Sequence, residues 1–313
     1  MPVEASYPSI AVSVPATTAN LGPGFDCLGL ALSLRNEAVF ETHPGSSYEV
    51  EIQGFGGDTL PLGFENLIVR SAQRLFEFAG SAIPGLRIRC TNSIPPGSGL
   101  GSSSAAILTG LLGANLLLND PLSKDAVLDL AARLEGHPDN VAPALLGGLT
   151  MSAAANSGGW LTRRLALPDW WAAVVVPEID LPTTQARSIL PGLVPRQDAV
   201  FNIGHALLVV EALRSGDADL LRAGMQDRLH QPQRLDLIPG ALEALELSAR
   251  LGAAVCLSGA GPGVIAFFRQ ADLAYRAGEE LSRPFQDRNI STWLWIGQLS
   301  NQGAQAEIRK PPK

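Results

Sequence analysis

Three alternating glycines followed by three consecutive serines lie where a long apolar segment begins, in the stretch IPPGSGLGSSSAA from Ile94 to Ala106. Glycine adopts positive φ angles and lets a ligand approach the backbone closely. The first turn of a helix adds unpaired N–H groups at the positive end of the helix dipole, which is a typical phosphate site. We therefore predict that Gly97, Gly99 and Gly101 bind phosphate, and that the serines after them supply hydroxyls for phosphate oxygens or a magnesium ion. The alternative is a flexible turn with an ordinary serine cap.

Two better-known phosphate-binding patterns are excluded. The pattern G-x-x-x-x-G-K-[ST] requires a lysine, and this stretch has none. The dinucleotide pattern G-x-G-x-x-G fails by one position, because the spacing here is G-S-G-L-G. A phosphate site in this stretch would therefore use backbone N–H groups and hydroxyls instead of a lysine.

Two more glycine clusters contain residues that could bind a ligand. PATTANLGPGFDCLG, from Pro15 to Gly29, follows a strand and places Asn20 and Asp26 among apolar residues. Its alternative is a turn in which these two side chains satisfy the local backbone. LSGAGPGVIAF, from Leu257 to Phe267, is best read on its own as a tight hairpin that needs no function.

Polar side chains also gather where a predicted helix ends, in LEGHPDNVAP, which contains Glu135, His137, Asp139 and Asn140. One carboxylate would be enough to complete a magnesium site with serine and phosphate oxygens, because magnesium prefers oxygen ligands. The alternative is that His137 and Asp139 only cap a turn before Pro143.

The composition is typical of a globular protein with a large core. The chain has 313 residues, which predicts two domains, and it is 46% hydrophobic and 17% charged. A net charge of −7 with no long basic run argues against a nucleic-acid partner, and the apolar stretches are too short to span a membrane. Three separated cysteines without a C-x-x-C pattern indicate neither disulfides nor zinc. With no visible signal peptide, we expect a protein of the reducing cytoplasm.

Periodicity predicts an α+β fold. Among the predicted helices, one starts after Asn66 as its N-cap and another after Ser123. A third, after the serines, is apolar nearly all round and should be buried, with Gly110 and Gly113 allowing close packing. Short apolar or alternating runs predict strands, the first of which should break at Pro15.

The three glycine clusters, in this order over most of the chain, resemble the three motifs of the GHMP kinase superfamily. Within it, the chain is similar to the homoserine kinases. The stretches that carry the resemblance are PATTANLGPGFDCLG, PPGSGLGSSSAA, EGHPDNVAPALLGGL, PTTQARSILP, QPQRLDLIPG and LSGAGPGVIAF.

The resemblance implies a two-domain fold. Residues 1–155 would form an N-terminal domain like ribosomal protein S5 domain 2, and residues 156–313 a ferredoxin-like C-terminal domain. ATP would lie between them with magnesium, and its phosphoryl group would pass to the side-chain hydroxyl of L-homoserine in threonine biosynthesis. Relatives are commonly dimers, so a homodimer is expected.

The same resemblance assigns the nucleotide and the metal. The residues expected around the ATP phosphates are Pro95, Pro96, Gly97, Ser98, Gly99, Leu100, Gly101, Ser102, Ser103, Ser104 and Ala105. Relatives often carry a further glutamate where this chain has Arg133. Magnesium is therefore assigned to Glu135 and a loop serine, Ser103 first.

Substrate and catalytic residues follow from motif position. Those assigned to the substrate are Asn20, Asp26, His137, Thr183, Arg187 and Arg234. Those assigned to catalysis are His137, Asn140 and Arg187. An aspartate can pair with the substrate ammonium and an arginine fork with its carboxylate, although surface ion pairs are the alternative for both arginines.

Several points stay open at this stage. The hydroxyl proton could pass to the phosphate itself while Asn140 orients the hydroxyl, or Asp26 could remove it as a base. A mevalonate- or sugar-type kinase and a ligand-sensing relative without turnover are the alternative functions. His205 and His230 receive no role, and His205 is expected to be a satisfied structural histidine.

Overall fold

The computed structural model describes residues 9–309. The expectation of no signal peptide concerns the start of the chain, which lies outside the described residues. The strands are β1 (Ser9–Ala19), β2 (Leu28–His43), β3 (Tyr48–Gly54), β4 (Gly85–Asn92), β5 (Leu149–Ala154), β6 (Trp160–Leu165), β7 (Trp171–Pro177), β8 (Ala254–Leu257), β9 (Val264–Phe268), β10 (Thr292–Gln298) and β11 (Gln305–Arg309). The helices are α1 (Leu67–Phe78), α2 (Ser102–Leu117), α3 (Lys124–Glu135), α4 (Val141–Leu146), α5 (Thr183–Ser188), α6 (Arg196–Ser215), α7 (Ala218–Gly224), α8 (Gln231–Leu235), α9 (Ala241–Arg250) and α10 (Ala271–Gln286). This mixture confirms the α+β class.

The strands form two sheets. The first has seven strands, in the order β11-β1-β2-β4-β3, with β5 pairing to β2 and β6 to β5. The second has four strands, in the order β10-β7-β9-β8. Only the pairing of β3 with β4 is parallel among these strands. Helix α2 packs on the first sheet, and α9 and α10 pack on the second, so each sheet has its own helical layer.

The two sheets do not divide the chain at a single point. β6 and β11 both follow residue 155, yet both pair within the first sheet. β6 joins it through a local hairpin with β5, and β11 returns from the end of the described chain to pair with β1. The boundary between residues 155 and 156 stays a prediction.

Helix α2 is buried as its apolar sequence predicts, and two glycines let its neighbours approach. A Cβ on Gly110 would lie 2.2 Å from the carbonyl oxygen of Ile68 in α1. A Cβ on Gly113 would lie 2.7 Å from the ring of Phe40 in β2. The backbone of α2 therefore lies directly against both elements. Within residues 9–309, no helix is both long and apolar enough to cross a membrane.

Both predicted helix caps are confirmed. Asn66 Oδ1 accepts a hydrogen bond of 2.9 Å from the N–H of Ile68, and Ser123 Oγ accepts one of 3.3 Å from the N–H of Ala126. Each such cap satisfies a backbone donor that the first helical turn leaves open, which is worth about 1 kcal/mol. At the other end of α3, Gly136 adopts a φ of 95°, so the helix stops with Glu135 as its last residue.

Strand β1 continues through Pro15, so the expectation of a break there is wrong. Proline has no N–H to donate to a neighbouring strand, and the pairing of β1 with β2 shifts register between Pro15 and Thr17. This irregularity accommodates the proline without ending the strand. The continued strand brings Thr17 to the glycine loop before α2, where its N–H donates to the carbonyl of Leu100 at 3.1 Å.

Candidate active site

The glycine–serine stretch forms a loop that opens α2. Gly97, Gly99 and Gly101 have φ angles of 66°, 78° and 68°, the left-handed region that favours glycine. Gly101 is the N-cap, and no side chain in the described part of the chain caps the first turn. The alternative of an ordinary serine cap is therefore wrong. The N–H groups of that turn face the loop without a side-chain acceptor, which is the arrangement an anion requires.

The other two glycine clusters pack against this loop. A Cβ on Gly101 would lie 2.0 Å from Oγ1 of Thr17, and a Cβ on Gly99 would lie 2.1 Å from the carbonyl oxygen of Ser258. Ser258 Oγ also donates a hydrogen bond of 2.8 Å to the carbonyl of Gly99. The β8–β9 turn therefore supports the loop that opens α2, in addition to forming the tight hairpin expected from its sequence.

A cavity of about 400 Å³ lies beside the loop, within the usual range for ligand sites. Its apolar wall includes Ile52, Leu67 and Ile68. The predicted site residues that line it are Asn20, Pro96, Gly97, Ser98, Gly99, Gly101, Ser102, Ser103, Glu135, His137, Asn140, Thr183, Arg187 and Arg234. The predicted residues outside its lining are Asp26, Pro95, Leu100, Ser104 and Ala105. One cavity therefore joins residues from all the predicted motifs.

Ser103 and Glu135 lie together at one side of this cavity. Ser103 Oγ donates a hydrogen bond of 2.5 Å to Oε1 of Glu135. A hydroxyl and a carboxylate are hard oxygen donors of the kind that magnesium takes, so the pair fits that ion. The described residues contain no group of three or more His, Cys, Asp or Glu side chains that could hold a metal alone, so the nucleotide or water would have to supply the other ligands. Arg133, which is exposed, pairs instead with half-buried Asp129 at 2.7 Å.

Thr17 holds Asn140 in one orientation. Its buried hydroxyl donates a hydrogen bond of 2.9 Å to Oδ1 of Asn140. Because Oδ1 accepts this bond, the Nδ2 group of Asn140 is left as the donor toward the cavity. Thr17 is a site residue that sequence reasoning missed, although it belongs to the first glycine cluster.

Asp139 holds His137 in a similar way. His137 Nδ1 lies 2.5 Å from Oδ1 of Asp139, whose side chain is 2% exposed. Burial alone lowers the pKa of His137, but the hydrogen bond and the negative charge of Asp139 outweigh it, and the pKa is raised overall. Asp139 therefore orients the His137 ring through Nδ1 and leaves Nε2 available to a ligand. This role goes beyond the alternative in which the two residues only cap a turn.

Asp26 and Arg187 bind each other. Nη2 of Arg187 lies 2.7 Å from Oδ1 of Asp26, and Nη1 lies 3.0 Å from Oδ2. The hydrogen bond to Asp26 raises the pKa of Arg187. Arg187 lines the cavity, whereas Asp26 does not. Asp26, expected at the substrate ammonium, and Arg187, expected at its carboxylate, are thus adjacent.

Arg234 is a buried cation with an exposed fraction of 1%. Its Nε donates to the carbonyl of Ala186 at 3.0 Å, and its Nη1 lies 3.0 Å from Nδ1 of His230. Within residues 9–309 it has no carboxylate partner. Burial, followed by the charge of Arg187, lowers its pKa to about 10. The alternative of a surface ion pair is wrong for Arg234.

Asn20 and Thr183 complete the predicted set. The Nδ2 group of Asn20 donates to the carbonyl of Gly259 at 2.7 Å, and its Oδ1 accepts from the N–H of Asp26 at 2.9 Å. Asn20 therefore ties the first glycine cluster to the third, and a substrate contact stays a prediction. Thr183, at the start of α5, lines the cavity, whereas Thr184 does not.

Comparisons with known proteins identify the family. The chain matches the GHMP kinases N terminal domain over residues 66–148 and the GHMP kinases C terminal model over residues 209–287. A homoserine kinase of Synechococcus sp. (strain WH7803) is 46% identical over 265 residues, 82% of this chain and 83% of that protein. A homoserine kinase of Prochlorococcus marinus is 42% identical over 302 residues, 94% of this chain and 95% of that protein. This chain belongs to the homoserine kinase family.

Solved structures agree with this assignment. The crystal structure of homoserine kinase from Cytophaga hutchinsonii ATCC 33406 matches with a TM-score of 0.85 and 29% identity, covering 98% of this chain and 100% of that chain. The structure of L. major mevalonate kinase in complex with R-mevalonate has a TM-score of 0.71 at 18% identity, covering 94% and 96%, and that likeness concerns the fold alone. The two-domain GHMP kinase fold expected from the sequence is confirmed.

The sequence motifs located the glycine loop and the arginines of this kinase, but not the residues that hold the side chains of the site in place. Thr17, Asp139 and His230 each hold a predicted residue by a hydrogen bond. His205 is a satisfied structural histidine as expected, with Nδ1 2.9 Å from the carbonyl of Phe201 and its ring stacked on the Phe201 ring.

Proposed function

We propose that the chain transfers the γ-phosphoryl group of ATP to the side-chain hydroxyl of L-homoserine, giving ADP and O-phospho-L-homoserine for threonine biosynthesis. One observation carries the proposal: within residues 9–309, a helix start without a side-chain cap and a buried arginine without a carboxylate partner line the same cavity. The first suits phosphate, and the second suits the carboxylate of an amino acid. The relatives named homoserine kinase support this substrate.

The nucleotide phosphates would lie on the loop from Gly97 to Gly101 and on the first turn of α2. The start of α2 supports this arrangement, because no side chain among the described residues caps its first turn and Ser102 and Ser103 line the cavity there. Magnesium would be held by Ser103 and Glu135. When bound, the ion neutralises negative charge on the phosphates during transfer. The backbone N–H groups of the turn would fix the phosphate chain in position.

The substrate would enter as a zwitterion. Its carboxylate would bind Arg234 and Arg187, and its ammonium would bind Asp26. A zwitterion can exchange partners with the existing Asp26–Arg187 pair, because it supplies one charge of each sign. The Nδ2 group of Asn140 would then orient the substrate hydroxyl. His137, whose raised pKa favours the doubly protonated ring, would donate from Nε2 near the transferred phosphoryl group.

The Asp26–Arg187 pair bears on which group accepts the proton of the substrate hydroxyl. Both carboxylate oxygens of Asp26 accept hydrogen bonds from Arg187 in this structure. In the proposed complex the substrate ammonium would occupy the same carboxylate, so Asp26 is committed to a cation in both states. Phosphoryl transfer through a loose transition state needs positioning more than early proton removal. We therefore favour passage of the proton to the phosphate, with Asn140 orienting the hydroxyl.

The alternative functions fit the cavity less well. Mevalonate and sugars lack an ammonium and a carboxylate together, so neither could replace the Asp26–Arg187 pair with two new ion pairs. A relative without turnover would be expected to lose loop or magnesium residues, and this chain keeps the loop glycines, Ser103 and Glu135.

The test is ADP release by the purified chain with MgATP and one acceptor at a time. The acceptors are L-homoserine, L-threonine, mevalonate and galactose. Turnover with L-homoserine is expected to exceed that with the others. Turnover with mevalonate or galactose but not L-homoserine would overturn the assignment, and Arg234→Ala should abolish the preference for the amino acid.

We also propose that the kinase is a homodimer of the cytoplasm. Its three cysteines are free thiols, as a reducing compartment would keep them. One face of α6 exposes Val200, Ile203 and Leu207 by 62%, 64% and 67%. Exposed apolar patches commonly mark interfaces. An antiparallel pairing of two α6 helices would also bring Arg196 of one copy beside Glu211 of the other.

Sedimentation velocity tests the dimer. The wild-type chain is expected to sediment as a dimer and Ile203→Glu as a monomer. Leu161→Glu on β6, at a side chain that is 67% exposed outside α6, is the matched control and should stay dimeric. A dimeric Ile203→Glu variant would exclude this face.

A further inference from the structure

His230 is fully buried and contacts one acceptor and one donor. Its Nε2 lies 2.8 Å from the carbonyl oxygen of Gly22, which can only accept. Its Nδ1 lies 3.0 Å from Nη1 of Arg234, which can only donate. These two contacts define a single form of the ring, neutral with the proton on Nε2. A doubly protonated ring would point an N–H at the guanidinium.

The ring has little freedom to move. Oδ2 of Asp227 accepts hydrogen bonds from the backbone N–H groups of His230 at 3.0 Å and of Gln231 at 2.7 Å. The ring of Phe25 stacks on the imidazole with a centroid distance of 5.2 Å. The acceptor that His230 offers to Arg234 is therefore fixed by both its backbone and its neighbours.

The guanidinium of Arg234 is held on one edge and free on the other. Nε binds the carbonyl of Ala186, and Nη1 binds His230 and lies 3.4 Å from the carbonyl of Gly259. Nη2 has no hydrogen-bond partner among residues 9–309, and Arg234 lines the cavity. With the other nitrogens satisfied, Nη2 is the one left for a ligand.

We propose that His230 is a positioning residue that holds Arg234 with Nη2 toward the substrate carboxylate. This inference rests on the proposed function. Without the Nδ1 acceptor, the guanidinium can rotate toward other acceptors, and the carboxylate would lose a charge-assisted hydrogen bond. The effect should fall on the binding of the amino acid and spare the nucleotide, which lies on the loop.

Three variants separate the two contacts of the ring. His230→Asn keeps an acceptor near the Nδ1 position, and His230→Gln keeps a donor near the Nε2 position. His230→Phe keeps only the stacking on Phe25. We expect the KM for L-homoserine to rise about tenfold or more in the Gln and Phe variants, the loss expected for a hydrogen bond to a charged group. It should rise far less in the Asn variant, and the KM for ATP and kcat should change less than about threefold in all three.

A second measurement separates positioning from folding. In the Arg234→Ala background, adding His230→Gln should raise the KM for L-homoserine no further, because the group that His230 positions is gone. The inference is overturned if the two substitutions add, if the Gln variant matches wild type, or if the KM for ATP rises in parallel. Failure of the wild-type chain to phosphorylate L-homoserine would instead overturn the proposed function, and this inference with it.

Discussion

Arg187 and Asp26 form a two-bond ion pair, with contacts of 2.7 and 3.0 Å, although they lie 161 residues apart. Their half-exposed side chains link the first glycine cluster to α5 at the edge of the cavity. Each was expected to bind an opposite charge of one zwitterion. Their pairing satisfies both charges before the substrate arrives, and an amino acid can replace it with two new pairs.

Asp26→Asn tests what the carboxylate does. The amide cannot form an ion pair with an ammonium, so we expect the KM for L-homoserine to rise about tenfold or more while kcat changes less. Steady-state kinetics measure both. A catalytic base would show the reverse, a large fall in kcat with little change in KM. Asp129→Asn, which removes a comparable ion pair with Arg133 on the surface, is the control and should leave both constants unchanged.

Thr17→Val tests the orientation of Asn140. Valine has nearly the shape of threonine but no hydroxyl, so the amide of Asn140 would lose its fixed partner. We expect kcat to fall about fivefold, the value of one neutral hydrogen bond, with little change in either KM. Thr17→Ser retains a hydroxyl and should recover most of the rate. Full activity in the valine variant would mean that Asn140 needs no such support.

Gly101→Ala tests the shape of the phosphate-binding loop. The added Cβ would lie 2.0 Å from Oγ1 of Thr17, and the φ of 68° costs about 1–2 kcal/mol for other residues. We expect a raised KM for ATP and a lower melting temperature. Gly97→Ala is the comparison, because its φ is 66° but its Cβ would meet nothing within 4 Å. It should be the milder change, and equal effects would argue against the packing explanation.

His230 predicts a pH dependence of stability. Burial lowers its pKa below the ordinary value of 6.5. The unfolded chain therefore takes up a proton at this site before the folded chain does, and stability falls as the pH drops below 6.5. Urea unfolding at pH 7.5 and pH 5.5 should show a larger loss for wild type than for His230→Gln. Equal losses in the two proteins would contradict a neutral buried ring.

Local sequence signals predicted the elements that depend on neighbours in the chain. The caps at Asn66 and Ser123 and the glycine loop before α2 need only a few residues, and all three form as expected. β2 was not predicted, because its sixteen residues do not keep a strict alternation of buried and exposed side chains.

Pairings between distant residues could not be read in the same way. Thr17 and Asn140 are 123 residues apart, and Arg187 and Asp26 are 161 apart. Thr17 and Asn140 meet where α4 packs on β1, and Arg187 at the end of α5 reaches Asp26 in the turn between β1 and β2. Periodicity encodes neither of these contacts. The motifs therefore located the site, while the hydrogen bonds that hold its side chains required the fold.

The most direct test of the whole account is a crystal structure of the kinase with magnesium, a non-hydrolysable ATP analogue and L-homoserine. We expect the phosphates on the N–H groups that open α2 and the amino-acid carboxylate on Nη2 of Arg234. A nucleotide bound elsewhere, with the loop from Gly97 to Gly101 ordered and empty, would contradict the account.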